Sequence, residues 1–296
     1  MDHQENMHQH SSGIFSPFSF ETASISDPNH PERNEDYLEV MPQSGLAVLC
    51  DGVGSAVGAE KAGYLAAQKI QSCLTDILAQ PLDPSNSPVQ SKTVHYLLEQ
   101  ANQEVLALGE RLTEQHGKKE HAATTIVLAL FSHQPANDRM AYGHVGDSRI
   151  YLQRKGEPLR RLTTDDGYFL HAQNKGYLDE QSALRIEQAN SREELSAEEF
   201  EHFSKRHGIL QALGDKNPNF HSGELDLLSG DRILLCCDGV HDNLTDKEIE
   251  TILSQEAGTA AVKLLVQRAY ARSLESENGN IRSKKDDISA IIIARQ

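Results

Sequence analysis

Two apolar runs of this chain end in the same tripeptide, Asp-Gly-Val, and this repetition constrains the fold more than any other feature. The run 46–50 stops at Asp51, and a Gly-rich turn follows it. The run 231–237 stops at Asp238 in the same way. Short apolar runs bounded by turn residues indicate buried strands, and glycine allows the backbone to turn sharply beside a carboxylate. Each run therefore predicts a buried strand that carries an aspartate at its tip.

A third apolar run, 288–294, is entered from Asp286 and Asp287. One such step is typical of any strand that meets a polar turn, because Asp and Gly are common there. Three steps in one chain favour a shared acidic cluster of Asp51, Asp238 and Asp286. Several aspartates at one rim suit Mg²⁺ or Mn²⁺, which prefer oxygen ligands. Two such ions about 4 Å apart can activate a bridging water for attack on a phosphoryl group.

The order of the predicted elements argues against a doubly wound sheet. Helical patterns at 58–80 and 93–116 follow the first Asp-Gly strand, and strands are predicted at 122–131, 140–145 and 148–152. An excursion, a strand, further helices and a last strand complete the order, which does not alternate as βαβ units require. The pattern predicts an α+β fold in which two facing, mainly antiparallel sheets lie between helix pairs.

Residues 1–14 are polar and rich in histidine, and we expect them to form a flexible tail. Residues 15–296 are expected to form a single domain. Within it, residues 165–207 are polar and weakly periodic, which is typical of a solvated insertion or of a flap beside the site. We favour a flap, because binding segments are often mobile loops on a rigid scaffold. Ser196 and Thr245 each open a capping box and predict the start of a helix.

The composition excludes several classes of function. The net charge of −16 disfavours nucleic-acid partners, whose phosphates need Lys and Arg. The chain contains no run of about 18 apolar residues, so we expect no membrane span. Its first residues do not form a basic segment followed by an apolar one, so we expect no secretory signal. Three of the four cysteines lie in apolar runs, which predicts free buried thiols and a cytoplasmic location. The chain has no Gly-x-Ser-x-Gly elbow, which argues against a covalent mechanism with a serine nucleophile. It has no P-loop, which argues against the binding of a nucleoside triphosphate.

Six short motifs follow one another along the chain. They are Asn34-Glu35-Asp36, Asp51-Gly52-Val53-Gly54, Gly143-His144-Val145-Gly146-Asp147-Ser148-Arg149, Ala212-Leu213-Gly214, Cys237-Asp238-Gly239-Val240 and Asp286-Asp287-Ile288-Ser289. In their order and approximate spacing they resemble the metal-dependent protein phosphatases of the 2C type. The resemblance implies a four-layer α/β/β/α sandwich with a binuclear Mn²⁺ or Mg²⁺ centre. It also implies hydrolysis of phosphoserine and phosphothreonine in proteins by a metal-activated water.

The same resemblance gives the central acidic residues their roles. Asp51 resembles the carboxylate that bridges both metals, and the carbonyl group of Gly52 resembles a second ligand. Asp238 and Asp286 resemble ligands of the first metal. Asp51, Asp238 and Asp286 are therefore the residues on which catalysis is expected to depend.

Further roles follow from the neighbouring motifs. Glu35 and Asp36 match the pair that holds the second metal, directly or through waters. Asp147 resembles the residue that, together with Asp238, supports a third and weaker metal in bacterial-like members. Arg33 is the candidate for binding the substrate phosphate, although it lies two residues before the Glu-Asp pair instead of the usual four.

The chain departs from the family pattern at several positions. Val53 stands where many eukaryotic members have a histidine that is proposed as a general acid, so a metal-bound water would have to protonate the leaving oxygen. Asp165-Asp166-Gly167 replaces the more usual Asp-His-Ser. Gln211 stands where an arginine is common. None of these changes removes a predicted metal ligand, so we expect an active enzyme.

The resemblance therefore implies a protein-serine/threonine phosphatase, which is a phosphoric monoester hydrolase. Its expected partners are a phosphorylated protein and a serine/threonine kinase or the targets of that kinase. Two alternatives remain open at this point. One is a pseudophosphatase that binds a phosphoprotein or kinase without turnover, and the other is a metal-dependent hydrolase of small phosphate compounds.

Overall fold

The computed structural model describes residues 7–9, 12–15, 17–54, 56–79, 89–133, 137–276 and 280–296. Of the predicted tail 1–14, residues 1–6 and 10–11 lie outside the described residues. Strands β1 (Met7–Gln9) and β2 (Ser12–Phe15) are short and pair with the strand that follows them. The flexibility of the tail stays a prediction.

The first sheet contains seven strands of the described chain and is antiparallel throughout. Besides β1 and β2, its strands are β3 (Phe18–Ile25), β8 (Arg149–Gln153), β9 (Arg160–Arg161), β11 (Arg232–Cys236) and β12 (Ile288–Arg295). Their order is β1-β3-β12-β11-β8-β9, and β2 also pairs with β3. The predicted second and third aspartate-bearing strands, β11 and β12, are therefore direct neighbours, and Cys236 lies opposite Ala290.

The second sheet contains five antiparallel strands of the described chain in the order β10-β7-β6-β5-β4. They are β4 (Tyr37–Met41), β5 (Leu46–Gly52), β6 (Thr124–His133), β7 (Asp138–Val145) and β10 (His221–Leu227). Tyr37 lies opposite Cys50, so β4 and β5 form a hairpin at the start of the sheet. The first aspartate-bearing strand, β5, thus belongs to the sheet opposite β11 and β12.

Eight α-helices are present in the described part of the chain. They are α1 (Ala59–Leu78), α2 (Ser91–His116), α3 (Tyr168–Asn174), α4 (Glu180–Glu187), α5 (Ala197–Ser204), α6 (Asp238–His241), α7 (Asp246–Gln255) and α8 (Gly258–Ser273). Both predicted capping boxes are present, at Ser196 before α5 and at Thr245 before α7. None of the described helices is long and apolar enough to cross a membrane.

Three apolar clusters stack the elements into layers. The middle cluster joins the inner faces of both sheets and includes Phe20, Leu49, Phe131 and Ile291. The outer face of the second sheet packs on α1 and α2, and the outer face of the first sheet packs on α7 and α8. The predicted four-layer α/β/β/α sandwich is confirmed, because the two sheets face each other and helix pairs cover both outer sides.

The predicted excursion at 165–207 is built from α3, α4 and α5 around a small apolar core of its own. A buried ion network joins it to the sandwich. Arg149 of β8 donates to Asp165 at 2.6 Å and also to Glu187, and Arg161 donates to Glu187 at 3.2 Å. Burial raises the pKa of Glu187, but Arg149 and Arg161 outweigh it and hold the pKa below its usual value. The excursion is therefore tied to β8 by charge.

We expect Glu187→Gln to lower the free energy of unfolding by about 3 kcal/mol, because Arg149 would stay buried with one partner fewer. A carboxyl with a lowered folded-state pKa stabilises the protein above its unfolded-state pKa. That contribution is lost as pH falls through the folded-state pKa. Denaturant unfolding at pH 7 and pH 3 should therefore show a smaller difference from wild type at pH 3. Glu180→Gln, at an exposed position of the same helix, is the control, and an equal loss in both variants would contradict the argument.

Candidate metal centre

The predicted acidic residues meet at one end of the sandwich, around Asp51. Burial raises the pKa of Asp51 well above its usual value, and the charges of Asp36, Asp238, Asp286 and Asp147 raise it further. Asp51 is therefore near four of the other carboxylates that the sequence predicts as metal ligands. Like charges in a buried site disfavour ionisation of one another, so this arrangement is unfavourable unless a cation is present.

Asp36 gives the clearest sign that the centre suits a cation. Both of its carboxylate oxygens are buried and have no hydrogen-bond partner among the described residues, and the same is true of Oδ1 of Asp238. Ligand atoms of Asp36, Asp51 and Cys237 lie within 4.8 Å of one another. Leaving a buried carboxylate unpaired costs several kcal/mol or more. Oxygen donors without protein partners are the set that Mg²⁺ and Mn²⁺ prefer, so the residues fit such ions.

The glycines of the two Asp-Gly steps allow close approach of neighbouring segments. A Cβ atom added at Gly52 would lie 2.9 Å from the carbonyl oxygen of Glu35, and one added at Gly239 would lie 2.0 Å from the carbonyl oxygen of Asp287. The amide of Gly52 also donates to the Glu35 carbonyl group at 3.2 Å. The residue after each aspartate is therefore glycine, because a segment that carries another predicted metal ligand packs directly against it.

Glu35 and Arg33 lie beside the centre and contact each other. The carboxylate of Glu35 pairs with Arg33, and Nε of Arg33 lies 2.8 Å from Glu60. The backbone amide of Glu35 donates to Oδ2 of Asp287 at 2.6 Å, and Oδ1 of Asp287 accepts from the amide of Asp27 at 2.8 Å. Asp287 thus positions the loop before β4. Arg33 is half exposed, so binding a substrate phosphate would require it to leave its two glutamates.

Asp147 lies in the turn between β7 and β8 and is buried. Burial raises its pKa well above the usual value, and Asp238 and Asp165 add to the shift. Two contacts fix the turn. Nε2 of His241 donates to the carbonyl oxygen of Asp147 at 3.0 Å, and the amide of Gly146 donates to Asp166 at 3.0 Å.

A lysine that none of the six motifs predicts as a site residue lies among the acidic residues. Nζ of Lys284 contacts Asp238, and it lies 2.8 Å from Asp286 and 3.1 Å from Asp242. Burial lowers the pKa of Lys284, but the three carboxylates outweigh it and hold the pKa well above its usual value. Burial also raises the pKa of Asp238 to about 6, although Lys284 opposes that shift. Lys284 therefore places a positive charge of the chain between Asp238, Asp242 and Asp286.

The one feature of the sequence that could have placed Lys284 at the site is its position two residues before Asp286. A lysine in a polar loop normally faces solvent. Its inward direction here depends on Asp238 and Asp242, which are distant in the sequence. Asp242 was also missed, and it accepts from Nδ1 of His207 at 2.6 Å.

Residues 29–278 match the protein-family model described as Protein phosphatase 2C. Protein phosphatase PhpP of Streptococcus pneumoniae is 28% identical over 230 residues, which are 76% of this chain and 80% of that protein. The matched region includes every predicted metal ligand except Asp286.

Solved structures share the fold. Serine/threonine phosphatase Stp1 of Staphylococcus aureus is similar with a TM-score of 0.70 at 20% identity, over 99% of each chain. The catalytic domain of serine/threonine protein phosphatase PstP, solved in complex with two manganese ions, is similar with a TM-score of 0.64 at 21% identity, over 94% of this chain and 97% of that one. At these identities the likeness concerns the arrangement of the layers.

Proposed function

This chain belongs to the protein phosphatase 2C family, and from that premise we propose that it hydrolyses phosphoserine and phosphothreonine in proteins. The observation that carries the proposal is the buried carboxylate cluster around Asp51, in which both oxygens of Asp36 have no hydrogen-bond partner among the described residues. The relative PhpP is a protein phosphatase by name, which supports a phosphorylated protein as the substrate.

The cofactor of this proposal is a pair of Mn²⁺ or Mg²⁺ ions. Asp51 would bridge them with the Gly52 carbonyl group beside it, Asp238 and Asp286 would hold the first ion, and Glu35 and Asp36 the second. When bound, such ions activate water as a nucleophile and neutralise the phosphoryl charge. A third, weaker ion at Asp147 and Asp238 would extend the centre toward the excursion. The two manganese ions of the PstP structure support a divalent metal requirement.

The chain itself contributes a partly buried acidic site and a basic side chain at its rim. Both carboxylate oxygens of Asp36 are buried and Asp51 is half-buried, so the field of a bound cation would be weakly screened there. Arg33 is half exposed at the rim, where it can exchange Glu35 and Glu60 for a substrate phosphate in a charge-assisted contact. Val53 cannot donate a proton, so the leaving oxygen would have to take its proton from a water molecule at the centre.

The partners of this activity would be a serine/threonine kinase or the proteins that it phosphorylates. All four cysteines are buried and free, which supports a reducing, cytoplasmic setting. The acidic surface, with a net charge of −16, favours phosphoproteins whose phosphorylated segment is basic, because like charges slow encounter.

We expect Asp238→Asn to lower the turnover of a phosphothreonine peptide in Mn²⁺ by about 100-fold or more, the cost of losing one charge-stabilising group at a reacting phosphate. Circular dichroism should show an intact fold. Asp76→Asn, at an exposed position on α1, is the matched control and should keep full activity.

The same assay separates the alternatives. Full activity in Asp238→Asn would refute the assigned role. Turnover of nucleotides in preference to phosphopeptides would indicate a hydrolase of small phosphate compounds. Binding of Mn²⁺ and of a phosphopeptide by the wild-type protein without any turnover would indicate a pseudophosphatase.

A further inference from the structure

A second group of possible metal ligands lies outside the acidic centre, where β7 meets β10. His144 and His221 are direct partners across these two antiparallel strands. Their rings stack with centroids 4.6 Å apart. Asp166, at the start of the excursion, places Oδ1 at 3.0 Å from Nε2 of His221. One ligand atom from each of the three residues lies within 4.8 Å of the other two.

The hydrogen bonding of His144 leaves one nitrogen available. Its Nε2 atom lies 2.9 Å from the carbonyl oxygen of Thr164. A carbonyl oxygen only accepts, so Nε2 carries the proton and Nδ1 presents a lone pair. Nδ1 is buried and has no hydrogen-bond partner among the described residues. The whole residue is only 4% exposed, so water has little access to this nitrogen. A buried acceptor without a donor is costly, and a cation would satisfy it.

This arrangement is the one that metal-binding histidines usually have. Such a histidine donates its other ring N–H to a carbonyl or carboxylate group, which fixes the tautomer and the ring direction. Burial lowers the pKa of His144, which favours the neutral imidazole that binds metals. Asp166 is held in a similar way, because its Oδ2 atom accepts from the amide of Gly146 at 3.0 Å. His221 is 39% exposed and gives an ion access from solvent.

We propose that His144, Asp166 and His221 bind a transition-metal ion of the Zn²⁺ class. Two imidazoles and one carboxylate, with water as the fourth ligand, form a common tetrahedral zinc site, in which ligand atoms lie roughly 3.4 Å apart. The present separations are within 4.8 Å, so small side-chain rotations suffice, and the ion would displace to solvent the proton that Nε2 of His221 donates to Asp166. Mg²⁺ prefers oxygen ligands, so Mg²⁺ in excess would compete with Zn²⁺ at the acidic centre and would leave this site free.

The position of the site gives the bound ion a structural effect. Asp166 belongs to the segment that leads into α3, while His144 and His221 belong to the second sheet. An ion held by all three would fasten the base of the excursion to that sheet, next to the turn that carries Asp147. The site goes beyond the proposed phosphatase activity and does not depend on it.

The experiment is a calorimetric Zn²⁺ titration of the metal-stripped full-length protein, with Mg²⁺ in excess to occupy the acidic centre. We expect His221→Gln to weaken the tightest Zn²⁺ binding about 10- to 100-fold or to remove one equivalent, since it deletes a ligand. His95→Gln is the control, because His95 is half exposed on α2, away from Asp166, and the variant should bind Zn²⁺ as wild type does. Equal stoichiometry and affinity in wild type and His221→Gln would overturn the proposal.

Co²⁺ provides a second measurement that identifies the ligands. Tetrahedral Co²⁺ with imidazole ligands absorbs visible light far more strongly than octahedral Co²⁺ bound by oxygens. We expect this absorption in the wild type and its loss in Asp166→Asn, while circular dichroism stays unchanged. Octahedral spectra in both proteins would exclude the site. Neither readout measures phosphate hydrolysis, so a failure here and a failure of the proposed function can be told apart.

Discussion

Replacing Asp36 by asparagine is expected to make the metal-free protein more stable and the enzyme less active. Both oxygens of Asp36 are buried without a hydrogen-bond partner among the described residues. Burial raises the pKa of Asp36 well above its usual value and Asp287 adds to the shift, although the nearby Ser289 hydroxyl and Cys237 thiol oppose it. Asparagine removes the charge, and its amide group could donate to the nearby carboxylate of Asp51. We expect a gain of about 1–2 kcal/mol, which corresponds to roughly 2–8 °C in unfolding temperature for a chain of this size.

The effect has a defined dependence on pH. A carboxyl whose pKa is raised on folding stabilises the folded state fully below its unfolded-state pKa. That contribution is lost as pH rises toward the folded-state pKa. In EDTA, the advantage of Asp36→Asn should therefore be large at pH 7.5 and small at pH 4.

Added Mn²⁺ should reverse the order of the two proteins. At about 100 times its Kd, a ligand stabilises the folded state by about 2.7 kcal/mol, and only the wild-type protein keeps the full ligand set. Asp76→Asn should behave as wild type in both conditions. If Asp36→Asn were less stable than wild type in EDTA at pH 7.5, Asp36 could not be the uncompensated charge described above.

Replacing Lys284 by methionine is expected to have the opposite effect. The ammonium group of Lys284 lies among Asp238, Asp242 and Asp286. Removing one partner of a buried ionic cluster typically costs about 3–5 kcal/mol, because the remaining charges stay buried without compensation. We expect Lys284→Met to unfold at a markedly lower temperature in EDTA, while Lys285→Met, the exposed neighbour, should not.

Metal binding should reduce this defect. A divalent ion between Asp238 and Asp286 would replace the positive charge of the lysine, so the stability difference should shrink as Mn²⁺ is added. Calorimetry should also show tighter Mn²⁺ binding by Lys284→Met than by wild type, because the competing ammonium group is gone. Equal Mn²⁺ affinity in the two proteins would show that Lys284 does not compete for the metal-binding carboxylates.

The features predicted correctly from the sequence were those set by local chemistry. The strand of residues 46–50 and its Asp-Gly step follow from apolar patterning and from the need for a residue without Cβ at position 52. The helix starts after Ser196 and Thr245 follow from capping boxes, in which two local hydrogen bonds fix the boundary. These signals lie within a few residues of one another and do not depend on the rest of the fold.

The features that were missed depend on distant partners. Exposed polar residues alternate with half-buried residues along strand β10. This strand forms because it pairs with β7. The inward direction of Lys284 is set by carboxylates from other segments. His144 belongs to one of the six motifs. Its position opposite His221 could not be predicted, because the residues near a strand do not specify which distant strand pairs with it.

The acidic centre is assembled from both halves of the sandwich. Asp51 is carried by the second sheet, while Asp238 and Asp286 adjoin neighbouring strands of the first. The distance that the two proposed metal ions would have to span is therefore set by the thickness of the interior layer, where aromatic side chains such as Phe20 and Phe131 meet edge to face. Close-packed interiors transmit small changes in volume as shifts of the surrounding backbone. The spacing of the ligands is thus governed by apolar side chains that never touch a substrate.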